Sequence, residues 1–186
     1  MNPDPTPREV PEVATERLLL RRLVEGDVDR WYRIVFNDPE VMRYLPSGVP
    51  VGIERTRDVF RRFEDGWSRR GVAPWGVELS ASGELIGHCG LRHVEGRPGD
   101  VEVLYALGRD HWGRGYATEA AAASVRFGFE RAGLERIVAF ALPRNSASRR
   151  VLEKIGMTHR GRTRVFGIDA VLYEIERGQF EPEAVS

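Results

Sequence analysis

An α/β (α+β) chain of six to seven strands and about four helices is the class that this sequence predicts, and three stretches carry the expectation. Trp75-Gly-Val-Glu-Leu-Ser80 alternates, turns through Ala81-Ser-Gly-Glu84 and returns as Leu85 to Val94, the pattern of a hairpin. Val101 to Leu107, a glycine-rich turn, an alanine-rich helix and Arg136 to Pro143 then follow as strand, turn, helix, strand. That order predicts a βαβ unit whose two strands are parallel neighbours with a right-handed crossover. Two further strands, about Met157 to Arg162 and Asp169 to Arg177, complete the pattern.

Taken in order, residues 1–14 carry Pro3, Pro5, Pro7 and Pro11 and read as a disordered N-terminal lead-in. Thr15 to Leu23 is leucine-rich and ends in alternation, a first strand. Glu25 to Asp38 places Val28, Trp31, Ile34 and Val35 at helical spacing, with Asn37-Asp38-Pro39 as its stop. Residues 39–52 hold three prolines and two glycines and read as a loop with a short turn of helix at Glu40 to Tyr44. Met42, Tyr44 and Leu45 on it either line a substrate mouth or pack. A second helix is expected from Ile53 to Arg70 on the apolar side Val59, Phe60, Phe63 and Trp67, ended by Gly71.

Past the hairpin and the strand Val101 to Leu107, a helix from Tyr116 or Ala117 to Ala132 has Ala117, Ala121, Val125, Phe129 and Ala132 on one stripe. Asn145 or Ser146 caps a short helix that Gly156 stops. The domain is therefore expected over residues 15–178, followed by a polar tail at 179–186.

Composition excludes several classes. Acidic and basic residues balance at 28 each, so there is no electrostatic case for nucleic acid or an anionic membrane surface. Cys89 is the only cysteine, which rules out an internal disulfide and multi-cysteine zinc sites, and the four histidines show no metal spacing. No apolar run approaches the roughly 20 residues that span a bilayer, and the N-terminus has no secretory pattern. A cytoplasmic location without a metal is the expectation.

The glycine-rich turn is His111-Trp-Gly-Arg-Gly-Tyr-Ala-Thr-Glu-Ala120. Two glycines one residue apart allow positive φ and bare amides, and the following helix adds a positive dipole end, which together suit a phosphate. Taken alone, so short a motif as Gly-x-Gly favours an ordinary tight turn before a helix, and its flanks decide. His88 beside Cys89 suggests a base and a nucleophile, yet neighbours on a strand point to opposite faces, so direct attack is preferred and Cys89 is assigned to the core. His111 is expected as a solvated turn residue.

Glu102-x-x-Tyr-x-Leu107, Trp112-Gly-Arg-Gly-Tyr-Ala-Thr-Glu-Ala120 and Asn145-x-x-Ser148 before Val-Leu-Glu-Lys-Ile-Gly156 occur in this order, after Thr15-Glu-Arg-Leu-x-Leu-Arg. This set resembles the GNAT superfamily of acyl-CoA-dependent N-acyltransferases, in the branch that holds ribosomal-protein N-terminal alanine and serine acetyltransferases. The resemblance implies a mixed, mostly antiparallel, twisted sheet whose fourth and fifth strands splay to admit the pantetheine arm of acetyl-CoA.

Further roles follow from the same resemblance. Backbone groups of Tyr105, Ala106 and Leu107 would bind pantetheine, and the loop of Trp112, Gly113, Arg114, Gly115, Tyr116, Ala117 and Thr118 would hold the pyrophosphate. Many family members begin that loop with Gln or Arg; Trp112 stands here, so Arg114 is the candidate for a side-chain phosphate contact. Glu102 is the candidate general base, because the acceptor amine arrives protonated; the bland reading is a salt-bridged strand carboxylate. An N–H near an irregular point of the fourth strand, that of Tyr105 or Ala106, would serve the thioester oxygen. Many relatives use a tyrosine on this helix and none lies between Asn145 and Gly156, but Ser148 resembles the serine that this branch uses, which makes it the candidate for the departing thiolate or else an ordinary first-turn residue; Asn145 is expected by the same resemblance to position the cofactor.

The expected activity is acetyl transfer to a primary amine, either a protein N-terminus or a small molecule, with a non-catalytic acyl-CoA-binding domain as the alternative and a homodimer as a possible assembly.

Overall fold

The computed structural model describes residues 10–180. Eight strands form one sheet in the order β1-β2-β3-β4-β5-β6-β8-β7. They are β1 (Val13–Ala14), β2 (Leu18–Arg21), β3 (Pro74–Leu79), β4 (Glu84–His93), β5 (Val101–Leu107), β6 (Arg136–Ala141), β7 (Thr158–Val165) and β8 (Ile168–Glu176). Every pairing is antiparallel except β5 with β6, which is parallel as the βαβ pattern predicts. The strand beyond the expected seven is β1, paired with Leu19 and Leu20. It replaces the expected disorder at 13–14; residues 1–9 and 181–186 of the expected lead-in and tail lie outside the described residues.

The helices are α1 (Val28–Trp31), α2 (Pro39–Met42), α3 (Ile53–Arg70), α4 (Tyr116–Glu130) and α5 (Ser146–Lys154). The helix expected over residues 25–38 is a continuous helical run of mixed hydrogen-bond spacing, 3₁₀ over Glu25–Asp27, α over Val28–Trp31 and π over Tyr32–Phe36. That change of pitch buries Val28, Trp31, Val35 and Phe36. Asp38 then accepts from Glu40 N–H and caps α2 with Pro39 in the first turn, where a missing N–H costs nothing.

The core lies on both faces of the central strands. Alternation along β4 sends His88 toward α1, where Trp31 Nε1 donates to His88 Nδ1 at 3.0 Å, and sends Cys89 toward α4, where its Sγ lies 3.4 Å from Ser124 Oγ. The separation of His88 from Cys89 foreseen from strand geometry is thus realised. α4 lies close to the sheet because its inward face is small: Ala120, Ala121 and Ser124 are fully buried, and a Cβ at Gly128 would come within 2.7 Å of Ile137 Cδ1. β8 lies between β6 and β7, so the last two strands are not laid down in chain order. Their connection is Phe166-Gly167, both at positive φ, the backbone of a two-residue hairpin turn.

Candidate functional site

β5 and β6 share a single paired position, Glu102 with Val138. Beyond it the strands diverge, although β4 and β5 stay in unbroken register from His93↔Val101 to Gly87↔Leu107. The peptide groups of β5 that face away from β4 after Glu102 therefore meet a gap in place of a neighbouring strand. The irregularity expected in β5 is found instead in β4. The register with β3 shifts between Val77 and Glu78, and Gly87 sits there at φ 153°, its missing Cβ leaving room for the Ala106 carbonyl oxygen, which that Cβ would approach to 2.2 Å.

The gap opens into a cleft of about 1180 Å³. Glu102, Tyr105, Ala106 and Leu107 line it from β5, Trp112, Gly113, Gly115, Tyr116, Ala117 and Thr118 from the glycine-rich turn and α4, and Asn145 and Ser148 from α5. Met42, Tyr44 and Leu45 also line it, which answers the choice between mouth and packing for the loop over residues 39–52 with both: Met42 is buried, and all three face the cleft. Of the candidate cofactor and catalytic residues, Arg114 alone does not line it; its carbonyl accepts from Arg17 Nη1 at 3.0 Å.

The turn has the backbone that an anion cradle needs. Gly113 and Gly115 stand at φ 73° and 83°, and a Cβ on Gly113 would meet nothing within 4 Å, so it is the backbone conformation and not crowding that favours glycine there. Three side chains hold the turn. Trp112 Nε1 donates to Leu107 O at 2.8 Å, tying the turn to the end of β5. Glu119 accepts from Thr15 Oγ1 at 2.6 Å, from Arg17 N at 2.8 Å and from Arg17 Nε at 2.8 Å. Arg17 also lies 4.8 Å from the centre of the Tyr116 ring. Burial pushes the Glu119 carboxyl up, but these hydrogen bonds outweigh it and hold the group below the usual carboxylate range. The tether joins residues 104 positions apart, and nothing local in the sequence announced it.

We expect Gly115→Val to raise the KM for acetyl-CoA about tenfold or more, since a β-branched residue at φ 83° costs on the order of 2 kcal/mol and crowds Arg17 Nη2, 3.2 Å from the new Cβ. Cofactor affinity by calorimetry checks this; an unchanged value would remove the turn from the binding site.

At the closed end of the gap Glu102 is 3% exposed, with its carboxylate 3.0 Å from Arg92 Nε and 2.5 Å from Arg92 Nη2. Burial pushes its carboxyl up and the guanidinium pulls it back only in part, so it stays above the usual range. The salt-bridged carboxylate and the candidate base are therefore the same buried group. At the open end Tyr105 Oη lies 2.9 Å from Ser148 Oγ and donates to Ser148 O at 3.1 Å, joining β5 to α5 across the divergence. Burial raises the Tyr105 phenol, which keeps it protonated. Asn145, expected to position the cofactor, accepts from Ser148 N–H at 3.1 Å and so serves as the α5 cap.

Two histidines and the cysteine are settled by burial. His88 is held among Trp31, Phe36 and Phe63, and loss of water, with Arg92 nearby, pushes its imidazole down to about 3. Burial pushes the Cys89 thiol up to about 12 despite the Ser124 hydrogen bond, so it is unreactive as a nucleophile near neutral pH. His111, expected in solvent, has a side chain only 12% exposed, with Nδ1 buried and unpartnered and Nε2 3.6 Å from Glu84. Among the described residues no group of three or more metal-ligating side chains comes together, and no helix is long and apolar enough to cross a membrane.

Residues 17–158 match the family model described as acetyltransferase (GNAT) domain. The chain is 35% identical to the Bacillus subtilis (strain 168) protein YkkB over 88% of this chain and 94% of that one. It is 32% identical to the N-acetyltransferase p20 of Bacillus licheniformis over 79% and 82%. The solved structure of a GNAT-family acetyltransferase from Bacillus anthracis superposes with TM-score 0.77 at 28% identity, covering 90% of this chain and 99% of that one.

Proposed function

The chain belongs to the GNAT acetyltransferase family and is an acetyl-CoA-dependent N-acetyltransferase, and from that premise we propose that it acetylates a primary amine, of a protein N-terminus or of a small molecule, by direct attack in a ternary complex. The observation that supports this reading is the lone Glu102↔Val138 pairing, after which β5 and β6 part beside the glycine-rich turn. Residues on hand fit acetyl-CoA: unpaired strand edges for the amides of pantetheine, and positive-φ glycines at the head of α4 for the pyrophosphate.

In the proposed reaction Glu102 takes a proton from the acceptor ammonium, directly or through one water. The freed nitrogen attacks the thioester carbon and a β5 peptide N–H at Tyr105 or Ala106 donates to the oxygen that gains charge; the carbon–sulfur bond then breaks as the nitrogen releases its second proton, which the departing thiolate takes up to leave as the thiol. Ser148 gives its hydroxyl hydrogen bond to the departing sulfur, while Tyr105, protonated and within 2.9 Å, supports Ser148 from behind. Cys89 stays out of the reaction, which is why a ternary complex is favoured over an acyl-cysteine.

An acetyl-CoA titration with a thiol-release assay across a panel of primary amines tests the proposal. Saturable cofactor use with release that depends on the amine is expected. Tight cofactor binding with no release on any amine would leave the non-catalytic alternative standing.

A further inference from the structure

Helix α3 places Arg55, Val59, Arg62, Gly66, Arg69 and Arg70 on one stripe at helical spacing, and all of them line the cleft. The arginines of this helix divide by face. On the outer face Arg57 lies 2.8 Å from Glu54 and Arg61 lies 2.5 Å from Asp58. On the cleft face Arg55 and Arg69 are 3.9 Å from Asp58 and Asp65, and Arg62 and Arg70 have neither a hydrogen bond nor an ion pair among the described residues. The same helix thus pairs Arg57 and Arg61 closely with its own acids and leaves Arg62 and Arg70, on the face that lines the cleft, without an ion pair among the described residues.

The row lines the same cleft as the proposed chemistry, with Arg62, Arg70 and Glu102 all on its walls. Of the cleft carboxylates, Glu102 and Asp65 already face arginines and only Glu95 is unpaired. An incoming polycation would meet this wall with repulsion, whereas a carboxylate that reaches Arg62 or Arg70 would gain charge-assisted hydrogen bonds from a planar guanidinium.

Resting on the acetyltransferase reading above, we propose that the acceptor is an anionic amine, one whose reactive amino group is accompanied by a carboxylate that Arg62 and Arg70 receive on the α3 wall of the cleft. Polyamines and lysine-rich N-termini are rejected by the same wall. The carboxylate belongs either to a small amino acid-like molecule or to acidic residues behind a peptide N-terminus; the chemistry read by the arginines is the same.

The test uses the whole protein and matched acceptors: β-alanine against β-alaninamide, the C-terminally amidated peptide Ala-Glu-Glu-NH2 against Ala-Gln-Gln-NH2, and spermidine. Values of kcat/KM by thiol release should favour the acid over its amide about tenfold or more in at least one pair, with spermidine slowest, and the pair that responds identifies the source. In the Arg62→Gln, Arg70→Gln double variant that ratio should fall to about 1. Equal use of acid and amide, fastest use of spermidine, or a preference that survives the double substitution overturns the proposal. Should no amine support thiol release, the acetyltransferase reading itself fails, and calorimetry on the CoA-loaded protein then decides the inference separately: preferential binding of the acids, lost in the double variant, sustains it, and equal or absent binding overturns it.

Discussion

Glu102→Gln is expected to lower kcat about 100-fold or more near neutral pH while acetyl-CoA affinity changes by less than about threefold. The amide keeps the size of the side chain and its contact with Arg92 but accepts a proton far more weakly than a carboxylate. The sign of the pH effect follows from burial. Because the folded protein holds the Glu102 carboxyl above the usual range, the wild-type rate should fall as pH drops through that raised value, where the base becomes protonated. The variant should lack this acidic limb. It should recover partly at high pH, where the amine is already neutral in solution. Full pH–rate profiles of both proteins check this, and an acidic limb that persists unchanged in the variant would remove Glu102 as the base.

Gly87→Ala should destabilise the protein by about 4 kcal/mol, lowering Tm by roughly 10 °C by thermal denaturation. Two costs combine. Alanine at φ 153° occupies a region that side chains rarely adopt, and its Cβ would lie 2.2 Å from Ala106 O and 2.8 Å from Leu107 Cα. Those neighbours are main-chain atoms of β5 and cannot rotate aside. β5 must shift where it borders the cleft, so activity should fall even below the melting transition. An unchanged Tm would show that the β3–β4 irregularity can relax, and that the close approach at Gly87 does not hold β5 in place.

Much of this protein was legible in its sequence because local pattern records local physics. Alternation over Trp75 to Val94 marked a hairpin, and the order Val101 to Leu142 marked parallel strands joined by a helix. Gly113 and Gly115 marked a turn at positive φ, and Asn145 followed by Gly156 marked the ends of α5. Each depends on residues near one another in the chain, where the periods of strand and helix and the steric freedom of glycine leave a direct trace.

Contacts between distant segments left no such trace. The Arg92 guanidinium that meets Glu102, the Thr15 and Arg17 groups that hold Glu119, and the Tyr105 phenol that reaches Ser148 became partners only when the sheet order brought their strands and helices together. Burial of His111 and the place of β8 between β6 and β7 were decided in the same way. The sequence by itself determined which residues form the strands, the glycine turn and the capped helices, because those depend on local conformation. Tertiary structure alone decided which charges from distant segments meet, because the separation between a guanidinium and an acid far along the chain is set only when the sheet order brings their strands together.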